Sequence, residues 1–429
     1  MKNTATAMAL ACSMAALASA PVVKDGSVTM TQDPSTRLVT INYEIEGEPA
    51  IVTVDICTNG VSIGGENLRY FAGDVNRKVS VDSHTCTWRP DKAWPGHLIT
   101  NGSVSAVVTA WATNAPPPYM VVSLTVKDDI TFYADAGSLP GGVTNDVYKT
   151  ECLVLRHIPA ANVRWRMGSP EDEWKRTANE KSHYVTLAND FYLGVYEVTQ
   201  RQYELMTGKR PSYFTNDVYY ATRPVEMVLP RDLRGSSADW PTTGHVVDGS
   251  SFFGKLRAQV SDAVAFDLPL EAQWEFACRA GTTSALYTGK ELEADCDTSS
   301  PNLQEIARFK QTQAAEELTT TPTSDISYED TTRGTAKVGS YRENGYGLYD
   351  MIGNVLEWCL DYWCADVSEI NPETGASEAT STTTLKRVKR GGCYAHSPQR
   401  LRSAYRIDGD YNKTRASDGF RVCAPVGIP

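Results

Sequence analysis

Histidine is scarce in this chain, six in 429 residues, and no two C-x-x-C pairs occur among its ten cysteines. The first shortage leaves little for a histidine-built metal centre, and the second removes the zinc-ribbon pattern. Beyond the first twenty residues no run of about 18 apolar residues lacks charge, so no transmembrane helix is expected. Positive charge is in deficit as well. Against 52 Asp and Glu stand 41 Lys and Arg, a formal charge of −11 with pI about 5.2, which leaves no general basic footprint for nucleic acid or an anionic membrane. Internal repeats are absent. Low complexity is confined to Gln311 to Thr323 and Ser377 to Thr384, both expected to be solvated loops.

What is present suggests an exported protein of two folded units. Lys2 followed by the Ala-rich apolar run Ala5 to Ala20 has the charged start, short apolar stretch and small residues of a signal peptide. Residues 1–20 are therefore read as the signal-peptide segment, with a cut after Ala16-Leu17-Ala18 that leaves Ser19 first, and the protein is expected to be secreted or periplasmic. Nine cysteines then remain, enough for four disulfides in an oxidising compartment.

From about Val22 to Ala134 the chain is rich in Val, Thr and Tyr and alternates with period two, as in Leu38 to Ile45. Further strand candidates are Ala50 to Ile56, Lys78 to Trp88, Val104 to Thr113 and Tyr119 to Val126. Residues 21–140 thus read as an all-β sandwich of immunoglobulin or fibronectin-III type, with Cys57 and Cys86 able to bridge inside it. Asp82, His84 and Cys86 alternate on one strand, where packing or pairing is expected rather than a metal. Ser138 to Gly142 has the turn chemistry of a linker, and a second unit begins near Cys152. Only two helices stand out there. Thr199 can cap Gln200 to Thr207, ended by Gly208, and Pro269 to Ala280 has Pro in its first turn and Gly281 beyond its end. The rest reads as short strands and long loops, an α+β pattern that needs disulfides or cations to hold it.

Gly345 to Trp358 reads GYGLYDMIGNVLEW, Arg166 to Glu171 reads RMGSPE, Leu268 to Phe276 reads LPLEAQWEF, and Arg223-Pro224-Val225 lies between them. With Phe191 to Gly194 and Tyr196 to Thr199, these ordered motifs resemble the formylglycine-generating-enzyme, or sulfatase-modifying-factor, family across residues 150–427. The resemblance implies a loop-rich variant of the C-type lectin fold and structural calcium. It places one calcium site on Asp350, Gly353, Val355 and Glu357, and a second on Asn302, Leu303, Asp330 and Thr332. It also implies a disulfide between Cys278 and Cys423, the latter one residue out of register.

Members of the family oxidise a substrate cysteine to formylglycine with molecular oxygen, through two cysteines that hold Cu(I). Soft thiolates suit that ion. After Arg390-Gly391-Gly392, however, the places of the two thiols are taken by His396 and Leu401, and Cys393 stands where the family has Ser. Leucine cannot ligate copper, so no two-thiol copper site is expected, and Cys393 and His396 are the remaining catalytic candidates. Lys386 to Arg421 carries ten Lys and Arg against three Asp. Arg390, Arg400, Arg402 and Arg406 with Tyr394 and Tyr405 could line a cleft for an acidic peptide or glycan, or the arginines could pin loops to acidic residues elsewhere. The expected role is therefore a ligand- or protein-binding module, the alternative being a divergent oxidase acting on a cysteine of a sulfatase-type protein.

Overall fold

The computed structural model describes residues 20–97, 103–215, 218–235, 246–293, 300–310, 334–367, 371 and 386–426. The expected signal peptide, the two low-complexity segments, Asp330 and Thr332 lie outside the described residues, Ala20 excepted. Among the described residues no helix is long and apolar enough to cross a membrane.

In the N-terminal unit, Val39–Glu46 buries every second side chain, as its sequence alternation predicts. It pairs antiparallel with Ser83–Trp88, and a second sheet is built on Ala50–Thr58 paired with Val104–Ala112. Ile41, Tyr43 and Ile45 of one sheet share a buried cluster with Val52, Val54 and Ile56 of the other. Cys57 and Cys86 are both free. Strand parity explains the missing bridge: Cys86 joins that shared cluster, whereas Cys57 follows Ile56 and faces the opposite side of its sheet, near Asp55. His84 packs against Tyr43 and bonds Asp74 and the Ser80 carbonyl, so the alternating Asp82, His84 and Cys86 do not converge.

The boundary expected at residue 140 falls elsewhere. Tyr119–Ser123, read as a strand of the first unit, pairs with Cys152–Ile158 inside a five-stranded antiparallel sheet that also holds Ile130–Tyr133, Phe191–Gly194 and Cys423–Pro425. Both faces of this strand are covered. Met120 and Val122 pack into one cluster, Tyr119 and Val121 into another, which accounts for its unbroken apolar run. Ser138 to Gly142 is likewise no free linker, since Leu139 is fully buried and the Tyr148 hydroxyl donates to the Pro140 carbonyl.

The second sheet of this unit has the order Arg406–Asp410, Lys386–Arg390, Leu356–Tyr362, Asp418–Gly419, the last strand parallel to its neighbour. Thr199 caps Gln200–Thr207 as expected and forms a capping box with Gln202: its Oγ1 accepts from Gln202 N at 3.2 Å and its own N donates to Gln202 Oε1 at 2.9 Å. The other expected helix spans Glu271–Arg279 and ends at Ala280 in the left-handed region. A further helix, Phe252–Gln259, was not foreseen. Ser251 Oγ caps it by accepting from Gly254 N at 3.1 Å.

Candidate functional site: two carboxylate clusters and a turn

The Glu271–Arg279 helix presents Glu271 and Glu275, one turn apart, to the strands carrying Arg390 and Arg406. Arg390 donates to Glu271 Oε1 at 3.0 Å and to Glu275 Oε2 at 2.5 Å, while Arg406 grips both oxygens of Glu271 at 2.7 and 2.6 Å. Arg279 completes the set on Glu275 Oε1 at 2.8 Å. Burial opposes the charge on both Glu275 and Arg390, yet Arg279 and Arg390 hold Glu275 below the usual carboxylate range, and Glu275 and Glu271 raise Arg390. Charge and geometry are matched within the cluster.

That pairing corrects the expected acidic-ligand cleft. Arg390, Arg402 and Arg406 are buried, Tyr394 is buried edge-on against Phe214, Tyr405 is half-buried, and Arg400 alone of the six is exposed. A guanidinium enters a protein interior only with its partner carboxylates. Arg402 takes Glu180 on two bonds of 2.6 and 2.8 Å and also reaches Glu173. The basic segment pins loops.

The second cluster surrounds the GYGLYDMIGNVLEW run and is not matched. Glu197, Asp350 and Glu357 are all buried, and Arg421 is the guanidinium they share. It binds Glu357 through both oxygens at 2.6 Å, and Trp274 Nε1 donates to Glu357 Oε2 at 2.7 Å. Glu197 accepts from Asn354 Nδ2 at 2.6 Å and from Val355 N at 3.1 Å, tying the Tyr196 to Thr199 motif to the Gly345 to Trp358 motif. Asp350 Oδ2 accepts from Gly339 N at 2.6 Å, but its buried Oδ1 has no donor. Burial, then repulsion from Asp350 and Glu357, raises Glu197 well above its usual range. Asp350 is pushed up to about 6, by burial first and with the charge of Glu357 adding to it. Gly353 has φ +90°, and a Cβ there would meet the Arg308 carbonyl oxygen at 2.4 Å, so glycine is required.

These residues fit a hard cation in part. Asp350 Oδ1 is open, and Glu357 uses three of about four acceptor directions, leaving one. Among the described residues, however, no three His, Cys, Asp or Glu side chains are already placed to hold a metal. Of the second expected calcium set, Asn302 Nδ2 donates to the Glu291 carbonyl at 3.0 Å and Leu303 is buried in the main core.

Cys393 and His396 are brought into one turn, with His396 N donating to the Cys393 carbonyl at 3.0 Å. Burial pushes the Cys393 thiol up to about 12 and, with Arg400 and Lys389, drives His396 down to about 3. At neutral pH the pair is a thiol and a neutral imidazole, and a thiol is a poor nucleophile and metal donor compared with a thiolate. Leu401 is fully buried in the main core cluster with Trp274, Ala277 and Cys278. Its Cδ2 lies 2.5 Å from where a Cβ on Gly392 would sit, so that glycine makes room for it.

Comparison with known proteins now decides the lineage: residues 157–425 match the Sulfatase-modifying factor enzyme 1-like domain. The chain belongs to that family. It is 33% identical over 305 residues to the formylglycine-generating enzyme of Mus musculus, covering 64% of this chain and 76% of the mouse protein. Identity to the formylglycine-generating enzyme of Bos taurus is 28% over 330 residues, 68% of this chain and 79% of the other. Among solved structures, PvdO from Pseudomonas aeruginosa is similar at 22% identity and a TM-score of 0.48, covering 67% of this chain and 98% of that one.

Within this sulfatase-modifying-factor domain, the expected Cys278–Cys423 disulfide is not formed. Both thiols are free and buried. Cys423 reaches Gln273 Oε1 and Cys278 the Met351 carbonyl, and Gln273 and Cys278 stand five residues apart on one helix, roughly 7.5 Å along its axis. The one-residue offset of Cys423 aims its sulfur at the wrong turn. Cys359, Cys364 and Cys393 are free as well. Glu197, Glu271 and Glu275 were missed as partners by sequence reasoning, although all three lie inside the quoted motifs and Glu271 and Glu275 have the i, i+4 spacing of one helix face.

Proposed function

We propose that this protein is a non-oxidising member of the sulfatase-modifying-factor family that uses the scaffold as a protein- or peptide-recognition module. The observation that carries the reading is the full burial in the core of Leu401, the residue that the sequence resemblance sets at a copper-binding thiol. The protonated Cys393 and uncharged His396 beside it support the same reading. A competition titration with a coloured Cu(I) chelator tests it, with no copper retained at one equivalent as the expected outcome. Stoichiometric retention that is lost in Cys393→Ser would instead establish a rearranged copper site.

Calcium is proposed as a structural ion at the second cluster, held by Asp350 and Glu357 with backbone oxygens of Gly353 and Val355. The surplus of three buried carboxylates over one guanidinium supports it. We also propose that the second unit is the C-type-lectin-like variant of the family and the first an immunoglobulin- or fibronectin-III-like sandwich that presents it. Export to a secreted or periplasmic location is proposed on the N-terminal sequence, with Ser19 as the first residue of the mature chain; N-terminal sequencing of protein from its native host checks this. Three of the four arginines expected to meet an acidic glycan, Arg390, Arg402 and Arg406, are paired inside, which favours a protein or peptide ligand.

A further inference from the structure

Among the described residues, Val104–Ala112 is the long open edge of the N-terminal unit. It pairs along its whole length with Ala50–Thr58 and with no other described strand, whereas the other edges of the two sheets are strands of two to four residues. Short length, charge and proline are the usual guards against a further strand adding to an edge. All three are missing here: the nine residues read VSAVVTAWA, and no Asp, Glu, Lys or Arg occurs between His97 and Lys127.

The ladder fixes which groups face outward. Asn59 N donates to the Ser103 carbonyl, so Ser103 and every second residue after it turn their backbone groups toward Ala50–Thr58. Val52, opposite Ala110, spends its carbonyl on Asn76 at the far side of its strand, in agreement with that phase. The N–H and C=O groups of Val104, Ala106, Val108 and Ala110 therefore point away from the sheet, and none has a partner among the described residues. Side chains of the same four residues are half-buried against the sandwich core. On the outer face Ser105, Val107 and Thr109 are exposed, Val107 to 47%.

We propose that this edge pairs with itself in a second copy of the chain, antiparallel about a two-fold axis through Val107. That register sets Val104 opposite Ala110 and Ala106 opposite Val108, so each larger core-side residue meets a smaller one. Registers centred on Ala106 or Val108 set Val against Val and Ala against Ala instead. Each Val–Ala pair exchanges two backbone hydrogen bonds, while on the outer face Ser105 meets Thr109 and the exposed Val107 meets its own copy in the closely spaced, non-hydrogen-bonded kind of pair. A two-fold axis sets like residues face to face, and the uncharged edge carries no like-charge penalty for it. One strand pair is a small interface, so the dimer is reversible and forms at roughly micromolar concentration. This self-association stands apart from the copper and recognition readings.

Sedimentation velocity of the mature chain over a dilution series tests the proposal. A monomer–dimer equilibrium is expected, and Val107→Lys, which places two ammonium groups across the axis, should raise the dimer Kd at least about tenfold while the melting temperature of the dilute protein stays unchanged. In a Cys57→Ser background, mild oxidation should convert Val107→Cys to a covalent dimer and leave Thr109→Cys, which faces Ser105, uncrosslinked. A chain that stays monomeric up to about 100 μM, whether or not it binds a synthetic peptide of residues 103–113, would overturn self-pairing. So would a dimer indifferent to Val107→Lys, or cross-linking of Thr109→Cys as fast as of Val107→Cys.

Discussion

The two buried carboxylate clusters of the C-terminal unit use the same residue types and behave oppositely. Around Glu271 and Glu275, three guanidiniums meet two carboxylates, and Arg279 and Arg390 hold Glu275 below its usual range. Around Asp350, three carboxylates share Arg421, one oxygen has no donor, and Glu197 and Asp350 are pushed toward the neutral form. The first cluster is complete as the chain folds. The second holds more buried carboxylate than guanidinium. A short motif can therefore be kept for either of two reasons, and pairing distinguishes them.

The sharpest way to break the contrast is Arg390→Ala. It strands Glu271 and Glu275 in the interior, and removal of one partner from a buried ion cluster costs about 3–5 kcal/mol, to be read as a shift in urea midpoint. Leu401→Ala should cost about 2–5 kcal/mol by leaving a cavity in the main core. A loss well below 1 kcal/mol would place Leu401 in an adaptable site rather than in fixed packing.

Titration separates the clusters by sign. The folded value of Asp350, about 6, lies above its ordinary 3.8, so the folded protein holds that proton more tightly than the unfolded chain. In chelator-treated protein this contribution is present at low pH and is lost as pH rises from about 4 through 6, with Glu197 acting in the same direction. Glu275 is depressed below its ordinary 4.5, so its contribution is present above that value and is lost as pH falls through the lower folded one. Asp350→Asn should flatten the loss between about pH 4 and 6 and abolish any rise in melting temperature on adding calcium; a calcium response that survives the substitution would move the ion elsewhere. The smallest effect belongs to Lys386→Ala. Its ion pair with Asp408 is exposed, and no shift in urea midpoint is expected.

Much of this was legible before the structure. The ordered motifs pointed to the family, and the Thr199 cap and the alternation of Val39–Glu46 follow from local chemistry. Pairings between distant residues were not legible. Arg390 and Glu271 lie 119 positions apart, and a sequence shows ten basic residues without showing which carboxylates meet them. Tyr119–Ser123 was assigned to the wrong unit because a strand covered on both faces has no alternation to mark its sheet. Phe252–Gln259 escaped because it carries Gly254, a weak helix former, whose missing Cβ avoids the Asp248 carbonyl oxygen.

The central claim is that the family scaffold here lacks the family's oxidative chemistry, and oxygen consumption by the copper-supplemented full chain with a cysteine-containing sulfatase peptide tests it most directly. No oxygen uptake and no formylglycine in the peptide by mass spectrometry is the predicted result. Turnover that disappears in Cys393→Ser would contradict it.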